Sequence, residues 1–464
     1  MIEQLKTADA YKLLHNGALA LARAEEQGFR VDLEYVDNKI NEIDRQILQI
    51  QDELQATNFY KHWKHTRKEK PPNIHSDQQL QNFLYKVKKY TPTKRTDTGQ
   101  GSTDEEALKA LKVPELDMIL KIRKLEKIKG TYLKPFKREA VNGYIHPNFH
   151  LHTVRSYRSS SDKPNFQNIP KRDEEAMNIT RRALYPRPGH QLLEVDYSGL
   201  EFNINACYSR DPAMIKYCEN PDSDPHGDIA EKVYMIDGFD KSIPEHKMLR
   251  SAAKNGFVFP ELYGSWYKAC ALNLACDWGG LPAEGRWRKG MGIEFDGKNL
   301  SDHFIRKGIR SLDDFIEHVQ KVEQEFFRMF PVHKEYMEST YDRYKMNGYV
   351  DMYTGFRCRG IMSKNNVLNY PIQGSAFHCL LWSFTEIDRI MREERWDTRM
   401  IGQIHDAIQS DVNPDELDYV AKTIRRVTCE DLPREWPWIV VPLNIDADIC
   451  PVDGSWAESK SYPI

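Results

Sequence analysis

The sequence predicts an α+β fold in which helices surround a small antiparallel sheet. Apolar positions recur at three and four residues through much of the chain, the helical period. Two segments read as buried strands, and they lie far apart without a regular strand–helix alternation, which argues against a parallel βαβ array. With 464 residues, 40% of them hydrophobic, the chain can bury a sizeable core and more than one subdomain.

The elements follow in order. Residues 1–60 read as helices, with Leu14, Ala18 and Leu21, then Ile40, Ile43, Ile47 and Ile50, on one face. Gly28 to Asp32 reads as a turn between them. Residues 91–103, rich in Thr, Gly and Lys, read as an exposed loop. Ser102-Thr103-Asp104-Glu105-Glu106 then supplies capping residues and early acids for a helix through Leu108 and Leu111. Residues 152–170 are polar and end in proline, so an ordered loop is expected. Residues 190–200 read as a strand, Leu192-Leu193-Glu194-Val195, that ends at Asp196. Residues 245–275 are helical by pattern. Residues 400–412 read strand, tight turn, strand, with His405-Asp406 at the turn.

Composition excludes several classes. Mean hydropathy is −0.67, no run of 18 apolar residues occurs, and MIEQLKTADA has no signal-peptide core. The expected setting is cytoplasmic, the host cytoplasm if the gene is viral, with no membrane partner. None of the eight cysteines forms a C-x-x-C pair, and Cys270 and Cys276 lack a His or Cys at zinc spacing. Net charge is −3, yet residues 61–140 hold 20 Lys and Arg against 10 Asp and Glu. Interleaved with Tyr85, Tyr90, Tyr132 and Phe136, that excess favours contact with nucleic-acid phosphates over a plain solvated face.

Three constellations carry chemistry. Asp196-Tyr197-Ser198-Gly199-Leu200-Glu201 follows a strand, and Ile404-His405-Asp406 sits at the hairpin turn. Two acids at strand ends can share a pair of Mg²⁺ ions, which prefer hard oxygen ligands and keep waters or phosphates for the rest. Arg250-x-x-x-Lys254 places two cations on one helix face, where both could meet a triphosphate. Phe259-x-x-x-Tyr263-Gly264 could offer a flat surface to a base pair. Singly, each has a bland reading as a strand-end acid or an amphipathic helix.

As an ordered set these segments resemble the A-family DNA polymerases, the family of bacterial DNA polymerase I and many bacteriophage replicases. The resemblance includes Arg158-Ser-Ser-Ser and Pro164-Asn165-Phe166-Gln167-Asn168-Ile169-Pro170. It continues through Asp196-Tyr197-Ser198 with Glu201, Asp224-x-His226, Arg250 to Gly264, Asn369-Tyr370-Pro371-Ile372-Gln373-Gly374 and Gln403-Ile404-His405-Asp406. The implied fold is a right hand: antiparallel-sheet palm, helical fingers and helical thumb. The implied division is an N-terminal helical segment at 1–32, thumb at 33–135, palm at 136–211 and 348–464, and fingers at 212–347 with an insertion at about 279–308.

The resemblance implies template-directed addition of deoxynucleotides to a primer 3′-OH, with primer–template DNA and deoxynucleoside triphosphates as partners. Asp196, Asp406 and the Tyr197 carbonyl would hold two Mg²⁺ ions, with Mn²⁺ as the alternative. Lys254, Arg250 and His226 would form a positive clamp on the triphosphate, beside Phe259 and Tyr263. Glu201 would fill the space a 2′-OH needs, which separates this reading from a single-subunit RNA polymerase. Arg158, Asn165, Gln167, Asn369, Gln373 and His405 would contact DNA at the primer terminus and minor groove.

The chain also departs from the family pattern. Ala407 stands where a second acid is common, and Gly199 replaces a polar residue. One extra residue separates Lys254 from Phe259, and a local bulge at Gly256 and Pro260 is expected to absorb it, with Phe257 as the rival base-facing ring. Fewer than about 50 residues precede Gly28, so no exonuclease domain is expected, and proofreading falls to a separate exonuclease or replication partner. The insertion reads either as a plain surface insertion or as an attachment that touches the template strand or a replication partner, for which Arg286-Trp287-Arg288-Lys289 would suit a phosphate beside an unstacked base. Lys254-Asn255-Gly256-Phe257-Val258-Phe259-Pro260 has a bacteriophage style.

Overall fold

The computed structural model describes residues 6–92, 96, 99–171, 173–240, 242–277, 287, 289–290, 292–295, 297–404 and 406–464. Two compact units emerge. Met1–Ile43, Lys127–Pro221 and Val332–Ile464 make the first, and Asp44–Glu126 with Asp222–Pro331 the second.

The first unit is organised by a five-stranded antiparallel sheet. Its strands are β1 (Gln191–Tyr197), β2 (Arg399–Ile404), β3 (Ala407–Val412), β4 (Ile445–Ile449) and β5 (Lys460–Ser461), in the order β2-β3-β1-β4-β5. Leu192, Leu193 and Val195 of β1 are buried, as the near-continuous apolar run requires of a strand flanked on both sides. Register pairs Asp196 with Ala407 on β3 and with Asp446 on β4. The helix Thr7–Gln27 packs on β2 and on the long helix Lys364–Glu394. Arg23 Nε there lies 3.0 Å from the buried Asp388 carboxylate, and Arg392 Nε lies 3.1 Å away. A buried carboxylate needs such partners, because leaving it unpaired would be costly.

Two sequence-level loops carry more order than expected. The Gly28 turn contains a short strand, Phe29–Val31, paired with Tyr144–Ile145 and Leu184–Tyr185. Within 152–170, Ser160–Asp162 pairs with Asn148–His150 and Phe166–Asn168 forms a 3-10 turn. Serine-rich polarity hid the pairing, because backbone hydrogen bonds rather than side chains stabilise it. The strand at 191–197, the hairpin at 399–412 and the helix after Asp104, whose carboxylate accepts the Ala107 N–H at 2.8 Å, follow the expectations.

The second unit is mostly helical. In its first part Trp63 stacks on Phe83, ring centroids 5.3 Å apart. In its second, Pro225–Tyr234, Pro244–Ala253, Tyr267–Asp277 and Leu312–Met329 pack together. Two of the four aromatic residues of the basic run have no face to offer a base, since Tyr132 and Phe136 are buried in the core. Tyr85 and Tyr90 are half-buried, and the Tyr85 hydroxyl donates to the Ser102 carbonyl. The insertion needs the same correction, since Trp287 is buried against Phe304 and Phe315 and has no face to offer a base. Arg286 and Arg288 lie outside the described residues. Among the described residues, no helix is long and apolar enough to cross a membrane.

Gly374 marks a close approach that fixes the first unit. A Cβ there would lie 2.4 Å from the Ser156 carbonyl oxygen, so the backbone itself would have to move. Gly374→Ala should therefore cost about 1–3 kcal/mol of folding free energy, read as a lower urea midpoint at unchanged slope. An unchanged midpoint would show that the two segments do not pack this tightly.

Candidate active site

Strand pairing builds the site in the first unit. β1 ends in Asp196 and Tyr197, and the Tyr197 N–H donates to the Asp406 carbonyl at 3.3 Å. Asp406 therefore sits at the turn directly beside the end of β1. The Tyr197 phenol is buried and lies 2.8 Å from Ser383 Oγ, which pins the backbone between the acids. Gly199 follows with φ +63°, in the left-handed region, and a Cβ there would meet nothing within 4 Å. The residue that departs from the family pattern thus has a backbone reason: the strand turns sharply into Leu200–Ser209.

The electrostatics of the pair are unusual for a structural acid. Burial, followed by the charge of Asp406, pushes the Asp196 carboxyl up to about 6, against the counter-effect of Lys171. Lys171 Nζ lies 2.6 Å from Asp196 Oδ2. Burial works against that ammonium, but Asp196 and then Glu194 and Asp406 hold its pKa above the usual lysine value. Asp196 Oδ1 is buried without a hydrogen-bond partner among the described residues. An orphaned carboxylate oxygen beside a second carboxylate is what a hard divalent cation satisfies, so the donor set fits Mg²⁺. His405 lies outside the described residues.

Sequence reasoning missed Lys171 and Asp446. Lys171 was obscured as an ordinary cation in a polar loop. Asp446 is the direct partner of Asp196 across β1 and β4, and its Oδ2 accepts from Ser198 Oγ at 2.5 Å. Only strand register reveals it. Ala407, on the other side of Asp196, is buried and contributes no charge.

Four of the predicted DNA-contacting residues converge. Arg158, Asn165, Gln167 and Gln373 line a cavity of 400 Å³ together with Ser156, Ser159 and Phe377. Gln167 Nε2 donates to the Gln403 carbonyl at 3.3 Å, which ties this loop to β2. Asn369 lies one turn before Gln373 on Lys364–Glu394, on the same side of the helix, outside the cavity lining. Glu201 stands in the first turn of Leu200–Ser209, with Oε1 3.8 Å from Arg158 Nη1. A larger cavity of 730 Å³ near Tyr11 and Arg155 contains none of the predicted site residues.

The second unit carries the cationic helix. After Pro244–Ala253 the chain makes one π-helical turn, Lys254–Val258, closed by the Phe259 N–H to the Lys254 carbonyl, before Phe259–Leu262 resumes α geometry. That wider turn absorbs the extra residue. It keeps Lys254 Nζ 5.4 Å from the Phe259 ring centroid and leaves Phe259 and Tyr263 within 7° of parallel. Phe257 is fully buried, edge-on to Phe326. Of the two rival rings, Phe257 thus has no exposed face, while Phe259 is half-buried.

Two members of the expected positive clamp behave differently from that expectation. Arg250 is held by a fork onto Asp224, with both N–O distances 2.7 Å. His226 is buried, and burial, then Lys254 and Arg250, bring its pKa down to about 3. It is neutral at physiological pH and can offer a ring nitrogen but no charge.

Phe257→Ala should destabilise the fold by about 3–5 kcal/mol, as for other large buried aromatics. Phe259→Ala, half-exposed, should cost under about 1.5 kcal/mol. Equal losses in denaturant unfolding would contradict the placement of the π turn.

Comparison with known proteins agrees with the geometry. The model for DNA polymerase family A matches residues 38–278 and 314–457. The chain is 28% identical to DNA polymerase I of Caldicellulosiruptor bescii over 423 residues, 88% of this chain and 43% of that protein. It is 26% identical to the thermostable DNA polymerase I of Thermus filiformis over 456 residues, 95% and 47% of the two chains. The chain thus spans less than half the length of these curated relatives. Among solved structures, the POL domain of Pol1 from M. smegmatis, in complex with DNA primer-template and dNTP, superposes with a TM-score of 0.74 at 24% identity, covering 96% of this chain and 70% of that one. The fold is that of a right-hand polymerase, and the chain belongs to DNA polymerase family A.

Proposed function

We propose that this chain extends a primer 3′-OH with deoxynucleotides on a DNA template. The observation that carries the reading is the Asp196–Asp406 pair: two carboxylates at adjoining strand ends, one with an orphaned oxygen and a raised pKa. Such a pair is poor as a structural element and good as a cation site. Asp196, Asp406 and the Tyr197 carbonyl would hold Mg²⁺, which supplies a Lewis acid for the attacking hydroxyl and the leaving phosphate. Lys171 Nζ, bound to Asp196, offsets part of the charge repulsion and must reorient or share its carboxylate when the cation enters.

The remaining roles divide between the units. Lys254 would meet the triphosphate as a point charge, and Arg250 would do so by exchanging Asp224 for phosphate oxygens. His226 would act as a neutral hydrogen-bonding group. Phe259 and Tyr263 would lie against the base, and Glu201 would exclude a 2′-OH. Arg158, Asn165, Gln167, Gln373, Asn369 and His405 would sense the primer terminus and the minor-groove edge. Minor-groove acceptors are similarly placed in all correct pairs, so donors there read shape. The proposed anatomy is a thumb at 33–135, fingers at 212–347, palm at 136–211 and 348–464, and a helical segment at 1–32. The setting we propose is cytoplasmic and bacteriophage, on the style of Lys254 to Pro260.

Asp406→Ala and Asp196→Ala should each reduce Mg²⁺-dependent primer extension by 10³-fold or more, on the order of a lost metal ligand, while primer–template binding survives within a few fold. Near-wild-type extension by Asp406→Ala would defeat the assignment. In the same assay we expect the wild-type chain to leave a mismatched primer end intact; its shortening would reveal a nuclease.

Sugar choice gives an independent check on Glu201. Glu201→Ala should raise ribonucleotide incorporation relative to deoxynucleotide in direct competition. It also frees Arg158 from its 3.8 Å neighbour, so primer affinity must be measured alongside. A constant ratio would remove Glu201 from the gate.

A further inference from the structure

The family match stops at residue 278 and resumes at 314. The intervening segment lies outside the family match. Between 286 and 310 it holds seven Lys and Arg against three Asp and Glu. We propose that its described part is a nucleic-acid-binding platform that grips the phosphates of a strand away from the reacting pair. The proposal rests on the polymerase reading for its location, but its chemistry stands on the segment itself.

The segment is anchored. Glu294–Phe295 and Lys298–Asn299 form a small hairpin that leads into the helix Leu300–Arg306. Trp287 and Phe304 are buried and pack with Phe315 of Leu312–Met329. His303 Nε2 lies 2.9 Å from the Tyr234 carbonyl, at the C-terminal end of Pro225–Tyr234. These contacts spend the apolar and aromatic residues on a rigid base and leave the cations outside. Lys289, Lys298, Arg306, Lys307 and Arg310 are exposed, and none of them forms an ion pair among the described residues.

Two nearby acids are engaged by the backbone: Asp302 accepts from the Gly290 N–H at 3.3 Å and Asp314 from the Arg310 N–H at 2.8 Å, while Glu294 and Asp313 are exposed. Elsewhere in the same unit cations are matched, as in Lys232–Glu325, Lys321–Glu317 and Arg250–Asp224. Arg306, Lys307 and Arg310 surround the end of one short helix, and Trp287 joins that end through its N–H to the Arg310 carbonyl at 3.1 Å. Arg306 Nε rests on the Asp302 carbonyl at 3.2 Å and Arg310 acts on Asp314, yet the five exposed cations on this fixed base outnumber the acids beside them, which suits a polyanion.

Position sets what the platform can do. His226 and Tyr234 are eight residues apart on one helix, which puts the anchor about 12 Å along its axis from the nucleotide-binding end. Contacts there act on strand binding and leave the reacting atoms untouched.

The test compares wild type with Arg306→Ala/Lys307→Ala/Arg310→Ala by anisotropy of labelled DNA across a salt series. The probes are a primer–template with a long template overhang, one with a two-nucleotide overhang, and a blunt duplex. Loss of three phosphate contacts should weaken binding at least about tenfold at 0.1 M salt and reduce the log–log salt slope by about two. A deficit confined to the long overhang identifies a single strand as the ligand; a deficit on all three identifies duplex. Arg306→Lys/Arg310→Lys should restore most of the affinity. The Arg310 backbone N–H that holds Asp314 persists in every variant, and matching urea midpoints exclude misfolding. Unchanged affinity and slope on all three probes overturn the proposal, and are what a protein-docking surface would give. Extension at saturating primer–template should stay within about twofold; if wild type itself extends no primer, the polymerase reading falls while the binding comparison still decides this one.

Discussion

The pairing of β1 with β3 places two like charges at one end of a sheet, and much of the first unit serves to keep them there. The Tyr197 N–H bonds the Asp406 carbonyl, and the Tyr197 phenol is anchored at Ser383. Lys171 neutralises one oxygen of Asp196 and leaves the other without a partner. Burial, and then the charge of Asp406, raise the Asp196 pKa, so the arrangement carries electrostatic tension. A scaffold accepts that tension only when neighbouring strands over-determine the geometry. Here β3 and β4 flank β1 on both sides, and Gly374 lets the long helix come against the Ser156 carbonyl. Burial of a charged pair costs free energy, so the same features that make the site useful lower the stability margin.

The second unit solves a different problem, phase along a helix. An α-helix advances 100° per residue, so one extra residue between Lys254 and Phe259 would rotate the ring to another face. The π turn at Lys254–Val258 cancels that rotation, with Gly256 inside it and Pro260 just beyond. Phe257 is driven inward against Phe326 and Phe259 stays beside Lys254. Proline lacks an N–H, which makes the position after a widened turn a low-cost place for it. Burial then changes the chemistry of neighbours. His226 becomes a neutral group because desolvation and two nearby cations disfavour its proton, while Arg250 keeps its charge and is oriented by Asp224.

How far local pattern could be trusted depended on whether a residue's surroundings came from its own segment. The apolar run before Asp196, the strand–turn–strand at 399–412 and the Asp104 cap are set by neighbours in sequence, and all three elements form as expected. Trp287, Tyr132 and Phe136 read as nucleic-acid contacts because cations flank them, yet each is taken into a core by distant residues. Side-chain spacing cannot report that, because an aromatic ring is equally suited to a base and to a hydrophobic interior.

What the sequence determined alone was the α+β class, the ordered set of motifs and the identity of the two strand-end acids, since each depends on residue type and short-range spacing. The tertiary structure decided the rest. It put Asp446 opposite Asp196 through strand register, brought Lys171 to the same carboxylate, and gathered Arg158, Asn165, Gln167 and Gln373 around one cavity. It also buried Phe257 while leaving Phe259 half-exposed, and stripped the charge from His226. These are properties of contact and dielectric environment. They arise only when segments that are not neighbours in the chain, from 25 to 250 residues apart, exclude water from one another, and no local pattern encodes which segments those are.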